Sequence, residues 1–184
     1  MNLPNLISLS RLLSVPLLVW LIVSGYIAWA FWLFVLAGVS DAIDGWIAKR
    51  FDLRSTLGVF LDPIADKVML VSVYLALGLQ GYLPSWLVIL VVSRDMLIVG
   101  GVLLTYALSD SRPHVAPLWI SKLNTVMQIL LAAQLLAMVG HGIPDREVTL
   151  VMCWIVAATT FASGAAYLWR WTRGASSAIE EEQP

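Results

Sequence analysis

At 184 residues, 60% hydrophobic and only 12% charged, the chain has a membrane-embedded composition rather than that of a soluble domain. A net charge of −1 excludes bulk nucleic-acid binding, so its charges matter by position. The lone Cys153 excludes a disulfide framework and, inside an apolar run, reads as inert packing.

A helix of about 20 apolar residues crosses the hydrocarbon core, and the charge-free stretches mark out six such helices. Residues 2–11 are mildly amphipathic and either lie at the interface or form the polar start of the first span. No cleavable signal peptide is expected, because the first charge is Arg11, after a start containing Pro4 and Asn5. Span one covers roughly residues 10–24, with Gly25 as its turn, and span two roughly 28–49, with Trp29 and Trp32 suited to an interfacial belt. A polar loop at residues 50–56 leads into span three, roughly 57–77. Gln80, Gly81 and Tyr82 then turn the chain into span four, roughly 83–108. A second polar loop, at 109–113, precedes span five, roughly 116–139, closed by Gly140, Gly142 and Pro144. Span six covers roughly 147–171. The fold expected is an all-α integral membrane protein: one domain over residues 1–175, then a polar, disordered tail at 176–184.

The cations orient the bundle. With both termini on one side, that side holds Arg11, Lys49, Arg50, Arg54, Lys67, Arg112, Lys122, Arg170 and Arg173, and the other only Arg146. Arg94 falls within span four. The positive-inside rule therefore puts both termini in the cytoplasm, as for a bacterial inner-membrane protein.

Four aspartates stand out against this background: Asp41 and Asp44 near the end of span two, Asp62 and Asp66 early in span three. A charge at the bilayer centre costs about 2.5–3.5 kcal/mol on insertion scales, so these groups need partners or a water-filled vestibule. Asp41 and Asp44 are spaced i, i+3, and Gly45 and Ala48 continue their face with little side chain in the way. Gly58, Asp62 and Asp66 are spaced i, i+4, i+8. Two adjacent antiparallel helices would then offer two carboxylates each to one gap. Carboxylate oxygens suit hard divalent cations such as Mg²⁺ or Mn²⁺, and paired ions are a common device for phosphoryl transfer. Lys49 and Arg50 are placed to balance phosphate charge. Pro63 either delays the start of span three or kinks it. The plainer reading has the aspartates pairing with Lys49, Arg50 and Lys67 at the membrane surface; four of them at helical spacing, with Gly45 and Gly58 between, argue against it.

The run Asp41-x2-Asp44-Gly45-x2-Ala48, then Gly58-x3-Asp62-x3-Asp66, resembles the signature of the CDP-alcohol phosphatidyltransferases, matching every spacing. The six-span layout and the opening Pro4, Asn5, Ser8 and Arg11 are similar too. One departure is Lys49, followed by Arg50, where the pattern usually has Arg; Lys lacks the bidentate fork, and either residue could contact phosphate. The resemblance implies that Asp41, Asp44 and Asp62 ligate two Mg²⁺ or Mn²⁺ ions. Asp66 would be the general base on the acceptor hydroxyl and a further metal contact. By the same resemblance, Gly45 and Ala48 pack against the cytidine and phosphates of CDP-diacylglycerol, and Gly58 allows close approach. It also implies a homodimer. Ser8 and Arg11 either face the nucleotide or anchor the interface.

The acceptor falls to the second half of the chain, where Arg94, Asp95 and Lys122 interrupt apolar runs. In the plain reading Arg94 and Asp95 pair with a neighbouring helix and Lys122 snorkels to the interface. In the functional one they hold an anionic acceptor. Family members that use glycerol 3-phosphate typically carry Arg-Glu, a second Arg eight residues after the first, and a later Lys-x-Lys. Here those positions are Arg94-Asp95, Val102 and Lys122-Leu123-Asn124, so two of four cations are missing. The run is more similar to the cardiolipin synthases, which join CDP-diacylglycerol to phosphatidylglycerol; glycerol 3-phosphate is the second choice of acceptor. His114 and His141 fall on opposite sides of the membrane and read as solvated loop residues. A small metal or ion transporter is the rival class, but it would place its acids at the midplane and repeat them in both halves.

Overall fold

The structure, a computed structural model, describes residues 3–50, 56–108, 118–143 and 145–180, with side chains described for 9–43, 65–101, 118–143 and 145–170. The described residues form six helices and no strand: α1 (Leu3–Val23), α2 (Ile27–Arg50), α3 (Thr56–Leu79), α4 (Ser85–Leu108), α5 (Trp119–Gly140) and α6 (Arg146–Glu180). Residues 3–11 are thus the start of the first helix. α3 starts before Pro63, so the proline does not delay it.

The odd-numbered helices end alike. In α1 the Tyr26 N–H donates to the Leu21 carbonyl at 2.8 Å and the Gly25 N–H to Ile22 at 3.2 Å. Tyr82 with Leu77 and Gly81 with Gly78 repeat this pair of bonds after α3, as Ile143 with Met138 and Gly142 with Val139 do after α5. Gly25, Gly81 and Gly142 stand at φ +82°, +76° and +70°, the left-handed stop that lets a helix satisfy its last carbonyls. α6 is capped at its start by Asp145, whose Oδ1 accepts the Glu147 and Val148 N–H groups at 3.0 and 3.1 Å.

α6 runs 35 residues, through positions 176–180 that the sequence reading assigned to a disordered tail. Once tertiary packing nucleates a helix, extension through Ala175, Ala178 and Glu180 adds a hydrogen bond for each residue fixed.

α1 packs on both α2 and α3, α5 on α2 and α6, and α4 on α6 and α3. Tyr74, Leu18, Ile22, Leu77, Leu87 and Leu131 are among the large side chains at the centre. The outer surface is apolar: Leu79 is 83% exposed and Phe161 72%, while Asn124, Gln128 and Ser163 are fully buried. Among the described residues, two stretches are long and apolar enough to cross a membrane, Trp119–Gly140 and Arg146–Arg170. α3 and α4 carry the pairs Asp66-Lys67 and Arg94-Asp95 near their middles. The expectation of six transmembrane helices is therefore met as six helices, two of them spans by length and composition.

One expected neighbour relation is replaced. Among the described residues α2 and α3 do not pack against each other; α1 packs on both, and a cavity separates them. On α2 the small residues Ala37, Gly38 and Ala42 line this cavity beside the larger Phe34 and Val39.

Candidate active site

α1 carries Arg11 one turn before Ser14, whose hydroxyl donates to the Arg11 carbonyl at 2.6 Å. The Arg11 side chain is buried, at 3% exposure, yet its guanidinium ends between two helices. Nη2 lies 2.5 Å from Asp41 Oδ1 on α2, and Nη1 donates to Asp66 Oδ1 on α3. One planar fork therefore gathers both carboxylates, a geometry that Lys cannot reproduce. Asp41 and Asp66 keep 41% and 47% of their side chains exposed, so each retains oxygen surface for a ligand.

That exposed surface faces a cavity of about 550 Å³ between α2, α3 and α5, within the usual range for a ligand site. Arg11, Asp41, Asp66 and Lys67 line it, and the rest is nearly all apolar, including Phe34, Met69 and Ile129. α2 runs towards Asp41 while α3 runs away from Asp66, so the charges collect at one end. An amphiphile fits such a cavity, head to the charges and chains along the apolar wall.

Behind Lys67 lies a second polar cluster. Lys67 Nζ donates to Asp95 Oδ1 at 2.5 Å, and Arg94 Nη1 donates to the same oxygen at 2.6 Å. Arg94 Nη2 reaches Ser121 Oγ on α5 at 2.6 Å and Ser163 Oγ on α6. Arg94 and Asp95 are each 4% exposed. One turn along α5, Asn124 Oδ1 accepts from the Thr159 and Thr160 hydroxyls of α6 at 2.9 Å.

Among the residues singled out by sequence, Arg11, Asp41 and Asp66 come together. Arg11 is too buried to anchor an interface. Arg94 and Asp95 pair with neighbouring helices, as the plain reading has it, and do not line the cavity. Lys122 is exposed on α5 and takes no part in the Arg94 cluster. Asp44, Gly45, Ala48, Lys49 and Arg50 lie in the last turns of α2, Gly58 and Asp62 in the first turns of α3, and Ser8 in α1; their side chains fall outside the described residues. His114 and the loops at 51–55 and 109–117 fall outside them altogether. Among the described residues no group of three His, Cys, Asp or Glu is gathered for a metal; Asp44 and Asp62 are half of the expected ligand set.

Sequence reasoning missed Lys67 as a cavity residue and Ser121 and Ser163 as the supports of Arg94. The signal for Lys67 was its place beside Asp66: one residue step turns a helix by about 100°, which aims it at α4 while Asp66 meets α1. The local chemistry is then legible. Half-exposed carboxylates can accept a proton or bind a hard cation, and the ammonium beside them can hold an anion.

Comparison with known proteins identifies the family. The chain is 39% identical to the chloroplastic CDP-diacylglycerol–glycerol-3-phosphate 3-phosphatidyltransferase 1 of Oryza sativa subsp. japonica over 91% of this chain and 56% of that protein. It is 30% identical to the CMP-forming cardiolipin synthase of Homo sapiens over 90% of this chain and 60% of that one. The CMP-forming cardiolipin synthase of Streptomyces coelicolor is 36% identical over 56% of this chain and 52% of its own. The chain thus spans little more than half the length of these relatives. A family model matches from residue 1 to residue 162, taking in five helices and the first half of the sixth, and so the chain belongs to the CDP-alcohol phosphatidyltransferase family.

Proposed function

We infer that this protein transfers a phosphatidyl group from CDP-diacylglycerol to the free hydroxyl of phosphatidylglycerol, releasing CMP and forming cardiolipin. The observation that carries the reading is the convergence of Asp41 and Asp66, from two helices, on the charged end of one apolar cavity. Family membership supports the reaction class.

Asp66 takes the proton from the acceptor hydroxyl as the oxygen bonds to the phosphatidyl phosphorus. The bond from that phosphorus to the CMP oxygen breaks, and CMP leaves with its electron pair. The hydroxyl among the described cavity residues, that of Thr125, donates to the Ser121 carbonyl at 3.1 Å, and this reading takes direct displacement by the acceptor oxygen. Arg11 holds Asp41 and Asp66 at a fixed separation, and the apolar wall excludes water from the acyl chains. Two Mg²⁺ or Mn²⁺ ions would be held by Asp41, Asp44, Asp62 and Asp66, and the donor set fits: hard oxygens, two of them demonstrably facing one cavity. The chemistry such ions supply when bound is neutralisation of the pyrophosphate and stabilisation of departing CMP. Gly45, Ala48, Gly58 and the Lys49-Arg50 pair take the CDP moiety in this reading.

The choice of acceptor rests on charge. Asn124, at the second position of the Lys-x-Lys pair of glycerol 3-phosphate users, is fully buried and accepts from Thr159 and Thr160. Together with Val102 it leaves a phosphomonoester poorly matched. Glycerol 3-phosphate remains the second reading, since the rice relative bears that activity in its name.

An apolar exterior with large exposed side chains such as Leu79 and Phe161 supports six spans, and the distribution of cations supports a bacterial inner membrane with both termini and the charged cavity end cytoplasmic. The homodimer rests on the family resemblance alone. The test is purified full-length chain with CDP-diacylglycerol, Mg²⁺ or Mn²⁺, and either acceptor, scored by CMP release. Release driven by phosphatidylglycerol is expected. Release with glycerol 3-phosphate alone overturns the acceptor, and none with any alcohol overturns the enzyme.

A further inference from the structure

The charges behind the cavity do not cancel. Lys67 and Arg94 both donate to one carboxylate, that of Asp95, and to the same oxygen of it. The other donors of Arg94 go to the neutral hydroxyls of Ser121 and Ser163, and among the described ion pairs no second acid reaches the cluster. Within this cluster, among the described residues, two cations meet one anion, a local excess of one positive charge, whereas across the same cavity Arg11 meets two acids, Asp41 and Asp66. Arg94 alone already neutralises Asp95, so the pair has no electrostatic need of Lys67. A surplus charge in a low-dielectric interior is costly unless an anion complements it. The Lys67 side chain is 33% exposed and lines the cavity. Asp95 takes one of its three donors, which leaves two for a ligand.

We propose that Lys67 binds the phosphate of the acceptor lipid, with Asp95 and Arg94 as positioning residues that hold its ammonium at the cavity wall. This deepens the transferase reading and rests on it. Lys67 follows Asp66, the residue that takes the acceptor's proton, and is tied to Asp95 of α4, whereas Asp41 and Asp66 are tied to Arg11 of α1. A phosphate held there sits beside the base and clear of the CDP side. The single surplus charge matches a phosphodiester. A phosphomonoester, at about −1.5 to −2 near neutral pH, would keep much of its charge uncompensated. Tying the ammonium through Asp95 and Arg94 to α5 and α6 also lowers the entropy lost when a ligand is gripped.

The experiment is steady-state kinetics of the full chain in mixed micelles, varying CDP-diacylglycerol and phosphatidylglycerol separately. Lys67→Gln is expected to raise the KM for phosphatidylglycerol about tenfold or more, as loss of a charge-assisted bond predicts, with the KM for CDP-diacylglycerol within about twofold. Lys67→Arg, which keeps the charge, brings the acceptor KM back to within about threefold of wild type, and Asp95→Asn raises it about threefold to tenfold. Equal shifts in both KM values, or a fall in kcat alone, overturn the proposal. The wild-type chain supplies a readout that no folding defect can spoil: reductive methylation followed by peptide mass spectrometry. Phosphatidylglycerol, but not uncharged diacylglycerol, protects Lys67 from dimethylation; equal labelling overturns the assignment. The two readings fail separately. A wild-type chain that releases no CMP sinks the transferase, whereas an active wild type with an unchanged Lys67→Gln variant sinks only the role of Lys67.

Discussion

Arg11 and Asp66 stand 55 positions apart in the chain, and the buried guanidinium of one donates to the half-exposed carboxylate of the other. The contact does more than pin α1 to α3. The same guanidinium holds Asp41, so the spacing of two proposed metal ligands, on helices that do not pack together among the described residues, is set by a third helix. The first helix is thereby part of the site.

Replacing Arg11 by Met removes that clamp and leaves two carboxylates facing each other without their shared cation. Loss of a hydrogen-bonded charge partner costs about 1–3 kcal/mol, moderated here because both carboxylates are partly solvated. Arg11→Met is expected to unfold at lower temperature in detergent and to release CMP more slowly. Arg11→Lys falls between, since an ammonium cannot span both acids with a rigid fork. Wild-type melting and turnover in Arg11→Met would remove the organising role.

Asp66 and Asp41 separate under the same substitution. Asp66→Asn keeps an oxygen for the metal but cannot take a proton, so CMP release is expected to fall about 10²- to 10⁴-fold with the Mn²⁺ concentration for half-maximal rate little changed. Asp41→Asn is expected to raise that concentration about tenfold or more, the scale on which metal sites respond to lost partners. A near-normal rate in the first variant moves the base elsewhere, and an unchanged metal requirement in the second removes Asp41 from the ligand set.

The reach of the sequence follows from what is local. The six helices were legible because chain length between charges and a few glycines decide them; Gly25, Gly81 and Gly142 end helices where expected. That Asp41 and Asp66 share a site was legible from i, i+3 and i, i+4 spacing. Their partner was not, because nothing near Arg11 records which helix it meets. The gap between α2 and α3 was legible, but its breadth was not: among the described residues the two helices do not pack together, and a cavity lies between them. Lys67 had counted only as a surface cation, and only Asp95, brought from α4, reveals which way it points.

Close packing where α2 and α5 meet gives a stability prediction with an internal control. A Cβ on Gly140 would lie 2.8 Å from both Cα and N of Ala28, backbone atoms that cannot rotate away. Gly140→Ala is expected to cost about 1–3 kcal/mol by overpacking, read as a lower unfolding temperature in detergent. A Cβ on Gly100 meets nothing within 4 Å, so Gly100→Ala is expected to be neutral or to gain about 0.5–1 kcal/mol through lost chain entropy. Equal melting of the two variants would mean that α2 and α5 do not approach this closely.

Asn124 and Gln128 make the sharper contrast, since both are fully buried amides one turn apart on α5. Asn124 Oδ1 holds two hydroxyls of α6, whereas neither Oε1 nor Nε2 of Gln128 has a partner among the described residues. The bond that Tyr74 makes at this position goes to the Gln128 backbone carbonyl, at 3.1 Å, and survives any side-chain change. Asn124→Leu therefore strands Thr160 and is expected to destabilise by about 0.6–1.7 kcal/mol, the range for hydrogen bonds between membrane helices. Gln128→Met keeps the length and removes two unpaired polar atoms, so it is expected to be neutral or stabilising. Thermal unfolding of the two variants in one detergent decides it. If Gln128→Met melts lower than Asn124→Leu, the Gln128 amide has a partner, such as a buried water, that outweighs the cost of burying it.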